Sequence, residues 1–303
     1  MKKHLIFFLV MIFGVGVILA QDEEAKKKKD KPVSEMFTGG LIIDEQTSVI
    51  PEQKTLELQI QHRFGLIKNN GISDLWGIYA PSANTRMGLN YAILDNLMVG
   101  YGITRKNMYS DFQIKYNILQ QTRKNTIPVS VTLYGNMAID GRNKEIFTTA
   151  TADSAFKFTN RLSYFTQLIV SRKFNDWFSF AVNGSFTHYN SVPADIAGVK
   201  GMDHDVIGIG VMGRVKFSPQ SSLVFHYSIP LEIESISENT TVTNRPLPNF
   251  GIGYQVGTAT HAFEIFITTS NGILPQDNYL WNKSDWTDGE FRIGFNITRL
   301  WGF

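Results

Sequence analysis

From Phe291 to Thr298 the chain alternates without a break. Phe291, Ile293, Phe295 and Ile297 are apolar, Arg292, Gly294, Asn296 and Thr298 between them are not, and the apolar parity continues through Trp301 to Phe303. A period of two with one apolar and one polar face describes a β-strand lying between two unlike media. Such a strand has unpaired edges, so the constraint spreads to the rest of the chain: the same pattern has to recur until the sheet closes.

It recurs. Apolar and polar residues alternate over 55–64, 85–93, 97–104, 110–119, 127–137, 161–171, 177–187, 205–217, 222–229, 249–256, 261–269 and 290–299. The fourth of these, 110–119, is the cleanest: Phe112, Ile114, Tyr116 and Ile118 alternate with Asp111, Gln113, Lys115 and Asn117. Each segment has about the length that a tilted membrane strand needs. The connections differ by end. Those after odd-numbered strands are mostly long (65–84, 138–160, 188–204, 230–248, 270–289, with 105–109 the short exception), and those after even-numbered strands are short (94–96, 120–126, 172–176, 218–221, 257–260). Long loops at one rim and tight turns at the other are the asymmetry of outer-membrane barrels. The expected fold is therefore all-β, a transmembrane up-and-down antiparallel β-barrel of about 12 strands, both of its ends on the periplasmic side. A soluble sandwich or small barrel would bury its apolar face and has no need of this asymmetry. A chain closing on an aromatic residue at the end of such a strand also resembles the terminal signature of bacterial outer-membrane barrels.

Composition agrees. Mean hydropathy is −0.10, yet 43% of residues are hydrophobic, with 22 Phe and 11 Tyr. Half-polar strands rich in aromatics suit a lipid-facing band with interfacial girdles. Past residue 20 no apolar run is long enough for a spanning helix. At the start, Met1-Lys2-Lys3 followed by the apolar run Leu5 to Ala20 reads as a signal peptide over 1–20. The charge run Asp22 to Lys31 reads as a solvated tether, so 21–54 is a periplasmic tether and lead-in and 55–303 the barrel. The apolar patch Leu41-Ile42-Ile43 in that lead-in suits a short strand, a plug or a lumen contact alike. There is no cysteine, so the barrel has no disulfide framework.

If the more apolar parity faces lipid, the other parity lines the lumen. It carries Arg63, Arg86, Lys115, Arg161, Arg214 and Arg292 against Glu57, Asp111 and Glu264, and these are the candidate pore-lining residues. They serve either as an ion-pair ladder filling a narrow interior or as a weakly anion-preferring filter. The inward glycines, among them Gly88, Gly102, Gly208 and Gly251, allow either sharp curvature or the close approach of an inserted segment. Gly208 to Gly213 matches a dinucleotide fingerprint by letters, but it lies inside a strand rather than at a strand-to-helix turn, so nucleotide binding is not expected. Asp203-His204-Asp205 at the outer end of a strand is a candidate rim cluster; catalysis there would need an opposing group, and none can be assigned from sequence. No cofactor or metal is implied.

Gln61 to Gly65 (Gln-His-Arg-Phe-Gly), Leu75 to Ile78, Thr85 to Tyr91, Leu97 to Gly102 and Asp111 to Tyr116 together resemble an uncharacterised β-barrel family of Bacteroidota outer membranes. The resemblance implies an outer-membrane barrel over about 50–303 and carries over no catalytic residues. The expected function is a narrow pore for passive, slightly anion-leaning diffusion of small solutes, plugged or gated by the lead-in or by loop 138–160. The alternatives are a non-conducting barrel that docks partners through its outer loops, and an outer-membrane hydrolase using the rim cluster. Expected partners are outer-membrane lipid, small solutes and other outer-membrane or periplasmic proteins, with nucleic acid excluded by export and a net charge of only +2.

Overall fold

The structure is a computed structural model that describes residues 30–68, 71–147, 156–192, 201–233, 235–238 and 243–303. The expected signal peptide and nearly all of the charged tether lie outside the described residues. From Pro32 onward the chain forms one unit.

Twelve strands make a closed barrel in which each pairs antiparallel with its sequence neighbours. They are β3 (Thr55–Leu66), β4 (Asn84–Leu94), β5 (Leu97–Thr104), β6 (Tyr109–Leu119), β7 (Ser130–Ile139) and β8 (Leu162–Lys173). Then follow β9 (Phe178–Tyr189), β10 (Asp205–Lys216), β11 (Ser221–Leu231), β12 (Asn249–Gly257), β13 (His261–Thr268) and β14 (Arg292–Gly302). β14 closes the barrel on β3, with Ile297 opposite Ile60 and Gly302 opposite Thr55. All twelve expected strands are present, displaced by at most a few residues at their ends; the fifth starts at Ser130 rather than at 127, because Pro128 cannot donate to a ladder.

Burial follows the period of two. Along β6 the inward Tyr109, Asp111, Gln113, Lys115 and Asn117 are buried, while Phe112, Ile114, Tyr116 and Ile118 lie 37–50% exposed. The same holds for Met87, Leu89, Tyr91 and Ile93 on β4 and for Phe263 and Ile265 on β13. Charged groups are inside and large apolar groups outside, the reverse of a water-soluble protein. Such a continuous apolar girdle far exceeds the exposed patches tolerated in water, and it fits a bilayer in which every backbone group is paired within a closed barrel. Aromatic residues mark both rims: Phe174, Trp177 and Phe217 at the short-turn end, Phe158 and Trp286 at the long-loop end.

The lead-in does not stay outside. Residues 36–48 run through the barrel interior, where β1 (Leu41–Ile42) pairs with β2 (Glu45–Gln46) in a tight hairpin. The last long loop also turns inward. There the helix α1 (Pro275–Trp281) starts with a proline at its first turn, where the missing N–H costs nothing, and every residue from Pro275 to Leu280 is buried.

The exposed girdle makes a direct expectation. Ile114→Arg places a charge at mid-strand on the lipid side and should destabilise the barrel by about 2–4 kcal/mol in lipid vesicles. On a solvated surface the same change would stay within about 0.5 kcal/mol. Urea unfolding in vesicles measures the difference, and a shift near zero contradicts the membrane girdle.

Candidate functional site

The lumen is the site, and the segment 33–54 is its centre. Both of the segment's ends are held at the short-turn rim. Val33 N donates to Gln121 O (2.8 Å), Lys54 N to Ala92 O (2.8 Å), and Phe303 N to Lys54 O (3.1 Å). Lys173 Nζ donates to Ser34 O (3.0 Å), and Lys216 Nζ pairs with Glu35 at 2.6 Å. Between these anchors the chain rises to the hairpin tip and returns.

At the tip Ile43 has φ +53°, costly for a β-branched residue and sustained only where surroundings over-determine it. They do so here. Ile43 N donates to Glu264 Oε1 (2.8 Å), and its carbonyl accepts from Arg63 Nη2 and Asn296 Nδ2, both at 2.9 Å. The next residue, Asp44, is fully buried. Its Oδ1 accepts from Arg63 Nε (3.0 Å) and Nη2 (2.7 Å), and its Oδ2 from Asn249 Nδ2 (3.0 Å) and Thr268 Oγ1 (2.6 Å). His226 Nε2 stands 3.5 Å from Oδ2. Glu45 Oε2 accepts from Gln167 Nε2 (2.8 Å) and Asn183 Nδ2 (3.2 Å), and Tyr279 of α1 reaches Glu45 Oε1 at 3.4 Å. The two insertions thus meet inside the barrel.

These neighbours set opposite electrostatics for adjacent carboxyls. Burial resists ionisation of Asp44, but the Arg63 guanidinium, His226 and the Thr268 hydroxyl together outweigh it and hold the carboxyl far below the usual range. Glu45 has only neutral donors in hydrogen-bond reach, and burial pushes its carboxyl up.

The wall is divided. Met36, Phe37, Ile42 and Ile43 pack into an apolar cluster with Tyr134, Phe165, Ile169, Met212, Val224 and Phe266. Across β3–β6 the interior is charged. Arg86 makes a two-point pair with Asp111 (2.9 and 2.7 Å) and reaches Gln61 Oε1 at 3.1 Å. Lys115 Nζ donates to Gly40 O of the plug (2.8 Å), and Glu57 accepts from Gln59 (3.0 Å). Glycine makes room for the insertions: a methyl at Gly208 would fall within the Tyr279 ring, and one at Gly251 would crowd both His226 and Ile43.

Of the sequence-derived lumen residues, Arg63, Arg86, Lys115, Arg214, Glu57, Asp111 and Glu264 are inside the barrel, and Arg214 donates to Glu35 O and to Thr38 Oγ1. Arg292 is buried at the long-loop end, where it ties Thr269 O (2.5 Å) and Ser284 Oγ (2.8 Å) together. Arg161 is a correction. It lies outside the strand in a single 3-10 turn, half-exposed, and donates to Asp140 O (2.6 Å) and Arg142 O (2.5 Å), so it braces a rim loop rather than the lumen. The described parts of loop 138–160 stay at the rim; the loop that enters is 269–291. Asp44, Asn249, Thr268, Asn296 and His226 were not singled out from sequence, although strand parity alone places the last four on the inward face. For α1, Pro275 after an apolar pair was the available signal.

At the long-loop rim Asp205 pairs with His188 (2.5 Å), not with His204, which bonds Tyr189 O (2.6 Å), while Asp203 accepts from Ser237 (2.7 Å). The members of the Asp-His-Asp run thus turn to different groups, Asp205 to His188, His204 to Tyr189 O and, at 3.8 Å, to Glu238, and Asp203 to Ser237. A cavity of about 280 Å³ lies next to it, lined by Val206, Leu231, Ile233 and Leu280 among others. Among the described residues no group of three His, Asp or Glu side chains is arranged to hold a metal.

Three solved structures share the barrel at low identity. The COG4313 outer membrane channel from Pseudomonas putida F1 is 12% identical, with 84% of this chain and 97% of that one covered and a TM-score of 0.48. A NanC porin is 10% identical (82% and 99% covered, TM-score 0.47), and a KdgM porin 5% identical (81% and 98%, TM-score 0.44). Comparison with curated proteins gave no match. A family model described as membrane bound beta barrel domain (DUF5777) matches residues 37–301, plug and barrel together. With that match over nearly its whole length, and with its charges inside and its apolar girdle outside, the chain belongs to this family of membrane-bound β-barrels and is a protein of the bacterial outer membrane.

Proposed function

We propose that this barrel is a gated channel for small solutes, closed in the conformation described here. In this reading 1–20 directs export, the short turns and residues 33–35 face the periplasm, and the long loops face outward. The supporting observation is what closes the lumen. Segment 33–54, which enters and leaves at the short-turn rim, fills it together with α1 from the other end, and on one side the wall behind that segment keeps charged and amide groups that water can solvate once it leaves. Withdrawal would strip Arg63, Lys115 and Arg214 of the plug oxygens they now hold, while Arg86 and Asp111 would still neutralise each other. The open lumen is then net basic and leans toward anions.

The apolar half of the lumen favours a second reading. Phe37, Ile42 and Ile43 packed on Phe165, Ile169 and Met212 suit a permanently filled, non-conducting barrel that binds partners through its loops.

Asp44→Ala separates the two. Removing one partner of a buried pair leaves Arg63 uncompensated and should weaken plug insertion by about 3–5 kcal/mol. In planar bilayers the variant should conduct far more often than wild type, with an anion-leaning reversal potential that Arg63→Gln with Lys115→Gln abolishes. A folded Asp44→Ala barrel that stays silent supports the packed scaffold.

The pH response follows from the same carboxyls. Asp44 has a depressed folded value, so its contribution is complete above the unfolded value of about 4 and is lost only as pH falls through the folded one. Glu45 is raised, so its burial is easiest when protonated and becomes costlier as pH rises through its folded value. Channel openings should therefore not increase between pH 7.5 and 5; acid-induced opening in conductance records contradicts this assignment.

A further inference from the structure

Asp44 is held by three donors of the barrel wall, Arg63, Asn249 and Thr268, with His226 3.5 Å away, and the wall keeps them in place without it. Arg63 Nη1 is fixed by His62 O (2.9 Å) and Asn296 Oδ1 (3.0 Å), and its guanidinium lies 4.4 Å above the Phe266 ring. Asn249 Oδ1 accepts from Thr269 Oγ1 (2.9 Å) and Ser270 N (3.1 Å), and Thr268 Oγ1, whose one proton goes to Asp44, lies 3.1 Å from it and can turn to it when the carboxylate is absent. His226, fully buried between them, has no hydrogen bond to either ring nitrogen among the described residues. Arg63 meets one oxygen of the carboxylate, and Asn249 and Thr268 meet the other. A planar, two-oxygen anion satisfies that division, whereas chloride can meet only one side of it.

We infer that the wall of β3, β11, β12 and β13 is a carboxylate receptor, filled by Asp44 in the closed barrel, that takes the carboxylate of a small organic acid when the plug withdraws. The chain's own aspartate then acts as a tethered competitor of the solute. One carboxylate replaces another on the same donors, so once the exchange is complete Arg63 again has an anionic partner. This avoids the cost that an unfilled site would carry. The uncharged donors Gln167 and Asn183, which hold Glu45, add positions for a hydroxyl or second acid group of the same solute. Exchange at the receptor rests on the channel reading; the receptor itself does not.

The test uses the full-length protein refolded in vesicles with Asp44→Ala, which empties the receptor and leaves its donors. Acetate is the probe, with chloride and sulfate at equal ionic strength as controls. Acetate alone should raise the thermal unfolding midpoint of Asp44→Ala saturably. It should leave wild type, whose receptor is full, unshifted, and Arg63→Gln added to Asp44→Ala should abolish the rise. Acetate should also reduce the chloride current of Asp44→Ala. An equal rise with sulfate or chloride, or no rise in a folded variant, overturns the proposal. If Asp44→Ala conducts chloride and acetate changes neither midpoint nor current, the receptor falls while the channel stands. If acetate raises the midpoint and nothing conducts, the channel falls while the receptor stands. Should Asp44→Ala not refold, Asp44→Ser leaves similar space and takes the same measurements.

Discussion

A bilayer core offers no water to backbone N–H and C=O groups, and the rest of this structure answers that constraint. Each strand must pair on both sides, so β14 has to return to β3. Closing the ladder sends alternate side chains to lipid and to lumen, and that alone accounts for Ile114 outside and Lys115 inside. It also creates a secondary difficulty. Twelve strands enclose more space than their own inward side chains fill when many of those are glycine, serine or asparagine. The chain fills the remainder with two pieces of itself.

Those pieces are held differently from a soluble core. The plug combines aliphatic packing on one wall with a clamp of charges and amides on the other. At its tip the strained Ile43 turn presents Asp44 to Arg63. A buried pair of this kind contributes little net stability relative to an apolar substitute, but it is expensive to break from one side. It therefore specifies where the hairpin sits more than how strongly it is bound. Tyr279 touching Glu45 joins the insertions from the short-turn and long-loop ends, so displacing either disturbs a contact of the other.

Much of this architecture was legible in the chain. Strand positions, strand number, the asymmetry of the loops and the inward charges all follow from a local period of two, and local periodicity is what a sequence states directly. The lumen set erred at Arg161, where parity was extended one residue past the point at which the strand begins. His226, Asn249 and Asn296 were equally available by parity, yet as neutral residues on a polar face they do not differ from ordinary wall residues until a partner is seen opposite them.

By itself, the sequence determined a closed, lipid-facing barrel with a charged interior, because two-residue alternation between unlike media permits nothing else. It left open whether Leu41 to Ile43 formed a strand, a plug or a lumen contact, and whether the inward glycines served curvature or close approach. Only the tertiary structure decided these. Asp44 lies 19 residues from Arg63 and 224 from Thr268, and no local pattern encodes a meeting at such separations. It is produced by the space the barrel encloses, by the glycines that leave room beside Tyr279 and Ile43, and by a buried guanidinium that requires a carboxylate.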